Sequence, residues 1–183
     1  MNDIVGISER SPCQPADEKW YGDPEVWRFL LWHYLPKFAI FNLLWEVAQL
    51  PLYTLWTEAQ PAYIAYAVLH CTAGDVLIGF GALLTALIAT RAGSLHEWRW
   101  IQVGVVAILF GLAYTAFSEW MNTVVRAGWV YSEWMPILPV LRIGLSPVLQ
   151  WLVVPTAALT VSRRRAPSRS ERRSIERQSG DRH

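Results

Sequence analysis

Four apolar runs constrain this chain more than any other feature. They lie at about 37–57, 62–89, 100–121 and 138–161, and each meets the roughly 20 residues that a helix needs to cross a bilayer. In hydrocarbon no water satisfies the backbone, so each run must close its own hydrogen bonds as a helix. The sequence therefore predicts an all-α integral membrane four-helix bundle, with a spanning domain over 24–161. A juxtamembrane interfacial helix is expected at 24–35, where Pro24 follows Asp23 and where Glu25, Arg28 and His33 interrupt the apolar residues. Pro36 is expected to separate that helix from the first span. The polar segment 1–23 and the Arg-rich segment 162–183 are expected to be disordered tails. Hydrophobic residues at 53% against 17% charged agree with the membrane reading.

Charge gives the orientation. Arg10, Lys19, Arg28 and Lys37 precede the first run, Arg91 and Arg99 lie between the second and third, and eight arginines fill 163–182, so fourteen of the sixteen basic residues fall on one side. By the positive-inside rule both termini are cytoplasmic, while 58–61 and 122–137 face outward. The tryptophans fit two interfacial belts, with Trp56, Trp120, Trp129 and Trp134 at the outer face and Trp27, Trp32, Trp98 and Trp100 at the inner one. Trp45 and Trp151 sit deeper, where they are expected to pack between helices. The first twenty residues have no apolar core and do not read as a signal peptide. Preference for Arg over Lys, without eukaryotic sorting signals, points to a bacterial inner membrane. With two cysteines, Cys13 in the polar N-terminal segment and Cys71 in an apolar run, no disulfide framework is expected.

Ionisable residues inside the runs then mark the functional candidates, because a charge at bilayer depth must be paired, protonated or turned towards a polar cavity. Asn42, Glu46, Gln49 and Tyr53 follow at i, i+4, i+7 and i+11, one narrow stripe on a helix. Thr115, Glu119, Asn122 and Arg126 repeat that spacing in the third run, and Arg142, Ser146 and Gln150 share a side of the fourth. The second run holds His70-Cys71-Thr72-Ala73-Gly74-Asp75, in which His70 and Asp75 cannot share a face. At about 1.5 Å per residue, Glu46, Asp75 and Gln150 fall near the midplane and the others further out. The expected result is a polar chamber in the outer half of the bilayer. Glu46, His70 and Asp75 are its candidate catalytic groups, and Asn42, Gln49, Tyr53, Glu119, Asn122 and Arg142 its candidate ligand contacts. An ion pair is expected between Glu119 and Arg142. Ala67, Gly74 and Gly81, spaced by seven, are expected to form a close-packing seam.

Three functions follow from such a chamber. One is acid-base chemistry, of isomerase or hydratase type, on a lipophilic molecule such as an isoprenoid, with Glu46 as acid and His70 or Asp75 as base. The second is an accessory subunit or assembly factor of a larger membrane complex, and the third a small transporter that would have to oligomerise. The proline-punctuated segment 126–139 suits either a lid or a partner-docking loop. No cofactor is expected. A single metal on Glu46, His70 and either Asp75 or Glu119 has suitable ligand types but no spacing signature. Paired Glu-x-x-His motifs, phosphate loops and nucleophile elbows are missing from the sequence. The partners expected are membrane lipids, a lipophilic small molecule and a membrane protein or second copy. Nucleic acid is not expected, since the Arg-rich run lacks interleaved aromatics and suits attraction to anionic lipid. The pattern Glu46-x-x-Gln49-Leu50-Pro51-x-Tyr53 resembles a stretch of the emopamil-binding sterol-isomerase family. The match covers a few residues, with a spacing that differs by one, and does not assign the chain to that family.

Overall fold

The computed structural model describes residues 19–126 and 128–164. Most of the two expected tails, with Cys13 and the arginines beyond Arg164, lies outside the described residues. The chain is mostly helical. Helix α1, Pro24–Arg28, is followed by a π-helical stretch, Phe29–Tyr34, and by α2, Leu35–Gln49. A short helix α3, Leu55–Glu58, leads to the long α4, Pro61–Ala89, then α5, Trp100–Trp120, and α6, Leu145–Arg163. Two short strands, β1 (Ile137–Leu138) and β2 (Ile143–Gly144), pair antiparallel before α6, with Ile137 opposite Gly144. Helix α2 packs on α4 and α6, and α5 packs on the same two helices.

Three helical segments, Pro61–Ala89, Trp100–Val125 and Leu145–Arg163, are long and apolar enough to cross a membrane, which is compatible with a multi-pass membrane protein. The expected first run falls short of that measure. Helix α2 stops at Gln49, ahead of Pro51, which has no N–H to continue the ladder, and a 3₁₀ turn at Leu50–Leu52 closes it. The expected break at Pro36 is missing. The backbone widens into the π turn just before the proline, with Leu35 N–H reaching Leu30 O, and the helix passes through. The His33 carbonyl beside this turn accepts from Lys37 Nζ at 2.5 Å and Ser162 Oγ at 2.7 Å. The segment expected to lie in the interface thus enters the packed body, with Val26, Phe29, Leu30 and Tyr34 buried.

The fourth run also begins later than expected, because Pro139 and the following residues form the β-hairpin and helix starts only at Leu145. Pro147 therefore sits in the first turn of α6, where a missing N–H frees no carbonyl, and Pro155 is the interior proline. The small-residue seam lies elsewhere too. A Cβ on Gly74 or Gly81 would meet nothing within 4 Å, whereas one on Gly79 would fall 2.2 Å from the Phe38 ring. Gly111 makes the matching approach to Trp151, where a Cβ would lie 2.0 Å from Cε3.

The exterior differs from that of a water-soluble protein, and part of the interior is polar. Leu77, Ile101 and Leu109 are exposed along the long helices, while Asn42, Glu46, Gln49, Glu119 and Gln150 are buried. An exposed apolar exterior around a polar interior is what lipid selects. The apolar core, from Val26, Phe29, Phe38, Leu83, Leu87, Val154 and Leu159, fills the end where α1 begins and α6 finishes, here the terminal end. Asp23 ties that end together by accepting from Glu25 N–H at 2.8 Å and Leu95 N–H at 3.2 Å. Trp98 joins this core, edge-on to Phe29, instead of standing in the inner aromatic belt where it was expected. Trp32, Trp56, Trp120 and Trp134 are exposed as expected of belt residues.

Candidate functional site

The opposite end, where α2 finishes and α6 starts, is polar. Its centre is Gln150, two turns into α6, whose Nε2 lies 2.8 Å from Asp75 Oδ2, 3.0 Å from Asn42 Oδ1 and 3.2 Å from Glu46 Oε1. An amide nitrogen has two hydrogens, so three acceptors compete for two donors. Two carboxyls from different helices therefore converge on one neutral side chain. Asn42 is held in place by its own Nδ2, which donates to Phe38 O at 2.8 Å.

A second chain of bonds runs from Glu46 towards the hairpin. Gln49 Nε2 donates to Glu46 Oε1 at 2.9 Å, Ser146 Oγ donates to Gln49 Oε1 at 2.8 Å, and Trp45 Nε1 donates to Ser146 Oγ at 3.2 Å. Trp45 and the buried Trp151 thus pack between helices, as the sequence implies. Glu119, on α5, accepts from the Tyr131 hydroxyl, and that hydroxyl in turn accepts from Gly144 N–H at 3.0 Å. Burial, and after it the Glu119 carboxyl, holds the Tyr131 phenol above its ordinary range, so it remains a donor. Segment 130–132 is held over this end by Thr54 N–H to Val130 O at 3.1 Å and Ser132 N–H to Leu52 O at 2.9 Å. Residues 130–132 therefore lie against the 52–54 turn at this end.

Of the residues singled out by sequence, the fold brings together Asn42, Glu46, Gln49, Asp75 and Glu119, with Tyr53 half-buried beside them against Tyr131. Three others stand apart. His70 is exposed and stacks on Tyr66, 5.5 Å between ring centres, so Asp75 is the member of its helix that reaches the network. Arg142 is exposed in the β-turn at φ 55°, outside α6, and Glu119 takes Tyr131 where the ion pair with Arg142 was expected. Asn122 bonds within its own helix, to Ser118 O at 2.8 Å.

Tyr131 is the residue the sequence reading missed; an aromatic hydroxyl in a proline-rich loop was its only signal. Thr72 was also passed over. Its Oγ1 is buried without a hydrogen-bond partner, one helical turn from Asp75. The named partners of the three carboxyls, Gln49, Gln150 and Tyr131, carry no positive charge. Among the described residues no group of three or more His, Cys, Asp and Glu is placed to hold a metal ion, and the arrangement that needed His70 is not formed. What the site offers is two carboxyls that share one amide nitrogen, Gln150 Nε2, as their hydrogen-bond donor. No protein-family model, curated protein or solved structure matches the chain.

Proposed function

We propose that this chain is a small multi-pass membrane protein whose polar network binds a lipophilic ligand and performs acid-base chemistry on it. In this reading α2, α4, α5 and α6 form a four-span bundle, with the first span lengthened by α1 and the π-helical stretch that run continuously into α2. The termini lie in the cytoplasm and the hairpin end faces outward, as the basic residues favour. A bacterial inner membrane is the setting the composition suits.

The observation that carries the chemistry is the convergence of Glu46 and Asp75 on Gln150 without a cation. Like-charged carboxyls so placed are served by one shared proton, and a shared proton is what a two-step proton transfer needs. In an isomerisation Glu46 delivers a proton to one carbon of a double bond, and Asp75 removes one from a carbon two bonds away. The double bond moves by one position, no electrons enter or leave, and the pair exchanges roles for the reverse reaction. The outward facing of His70 favours Asp75 as the base. The unpaired Thr72 hydroxyl gives a polar group on the ligand a partner. A hydratase would use the same pair with a water as the second reactant.

A second reading, an accessory subunit of a larger complex, is favoured by one feature: Asn42, Gln49, Ser146 and Gln150 are buried and satisfied by one another, as interhelical glue would be. Native mass spectrometry in a mild detergent separates the two. A bound mass of lipid size, present in wild type and absent from Glu46→Gln, supports the ligand site. Retention of heavier protein partners equally by both would overturn it in favour of the subunit reading.

A further inference from the structure

A second feature lies at the terminal end, away from the carboxyls. Between α5 and α6 runs a cleft of about 540 Å³, floored by Gly104 and walled by Ile101, Val105 and Leu159. Thr156 and Thr160 also line it, but their hydroxyls donate to Leu152 O and Thr160's neighbour Thr156 O within α6, so they ask nothing of a ligand. Polarity is concentrated at one mouth, where Arg163 lies over the Trp100 ring at 5.5 Å and Arg164 follows it.

On the other side of α5 the pattern repeats. A cleft of about 450 Å³ shares Ile101 and Val105 as walls and carries Arg91 and Arg99 at its rim. Among the described residues no acidic side chain lines either cleft. Ile101, between the two, is 80% exposed, so both open sideways and not into the body of the protein.

We infer that the α5–α6 cleft is a binding site for one anionic phospholipid, with an acyl chain along Gly104 and Val105 and the phosphate on Arg163 and Arg164. Charge complementarity selects the headgroup. Guanidinium groups pair with phosphate oxygens in a two-pronged geometry, and the stacking on Trp100 holds Arg163 in place before the lipid arrives. The sideways opening selects a lipid over a soluble anion, since the walls that flank the mouth are apolar along their length. The inference rests on the membrane-spanning reading but not on any chemistry at Glu46.

The test uses the full chain in mild detergent, with dioleoyl phosphatidylglycerol and dioleoyl phosphatidylcholine as probes and retained lipid read by native mass spectrometry. Wild type should retain phosphatidylglycerol preferentially. Arg163→Gln with Arg164→Gln should weaken that retention by about 30-fold, the effect of two interfacial basic residues, and weaken phosphatidylcholine much less, because its ammonium group offsets the charge of the same phosphate. Gly104→Leu should lower both lipids by blocking the floor. The helix has room for a side chain there, because a Cβ on Gly104 meets only Leu159 Cδ1 at 3.6 Å. Arg126→Gln with Arg142→Gln, at the hairpin end, should change neither, which separates this site from the carboxyl network. Equal retention of the two lipids by wild type, or phosphatidylglycerol retention indifferent to the Arg163 and Arg164 changes, would overturn the assignment.

Discussion

The two ends of the molecule are held together by different forces. From mid-height to the terminal end the helix contacts are mainly those of shape, with Phe38 against Gly79 and stacked on Tyr34 and with Trp151 in the space left by Gly111, while Asp23 and the His33 carbonyl add hydrogen bonds at the tip. At the hairpin end they are directional, a set of bonds through Gln49, Ser146, Gln150 and Tyr131. In lipid, apolar side chains gain little by leaving one hydrocarbon for another, so close packing and hydrogen bonds must supply the association. Dividing these roles along the helices lets the polar end carry groups that a shape-packed core would exclude. The terminal end fixes the helices; the hairpin end is free to hold carboxyls.

The contrast can be broken from either side. The largest effect should come from Gly111→Val, which drives a Cβ into the Trp151 ring and should cost about 3 kcal/mol, the upper end of overpacking, in detergent unfolding titrations. Pairing it with Trp151→Leu should restore part of that loss, and strict additivity of the two would show that the close approach does not hold the helices. Next comes Gln150→Leu, which leaves Asn42, Glu46 and Asp75 without their common donor and should cost about 2–3 kcal/mol. A change under about 0.5 kcal/mol, the size of an ordinary surface substitution, would mean the network is not a structural unit. Tyr131→Phe should cost about 0.6–1.7 kcal/mol through the lost bond to Glu119 and should raise protease cutting in the 128–136 loop. His70→Ala should be smallest, within about 0.5 kcal/mol of wild type, with bound ligand unchanged. Loss of ligand in that variant would return the histidine to the site.

Much of this was legible in the sequence, for a physical reason. The cost of a carboxyl in hydrocarbon makes its facing direction predictable, so the stripe Asn42, Glu46, Gln49 could be read as inward from spacing alone. Asp75 against His70 could not be decided, because a five-residue offset turns only one of them inward and composition does not say which. Arg142 was misplaced because Val140, Leu141 and Ile143 look like helix interior by hydropathy, while Pro139 and the left-handed backbone at Arg142 make a turn instead. The seam of Ala67, Gly74 and Gly81 was placed on the wrong face, since a Cβ on Gly74 or Gly81 would meet nothing and the close approach is at Gly79. What decides the face is the large partner, Phe38 opposite Gly79, and that pairing is long-range. Tyr131 escaped for the same reason: a loop's return path is set by the elements it lands on.

The most direct measurement is transfer of solvent deuterium to lipid. The protein would be reconstituted in vesicles with an isoprenoid-containing membrane lipid extract, held in heavy water, and the lipids analysed by mass spectrometry. Acid-base chemistry at the Glu46–Asp75 pair predicts deuterium on carbon in one isoprenoid component, lost in Glu46→Gln and in Asp75→Asn and kept in His70→Ala. Incorporation no greater than in protein-free vesicles, or equal in all four proteins, would contradict the account and leave the carboxyls as bonds between helices.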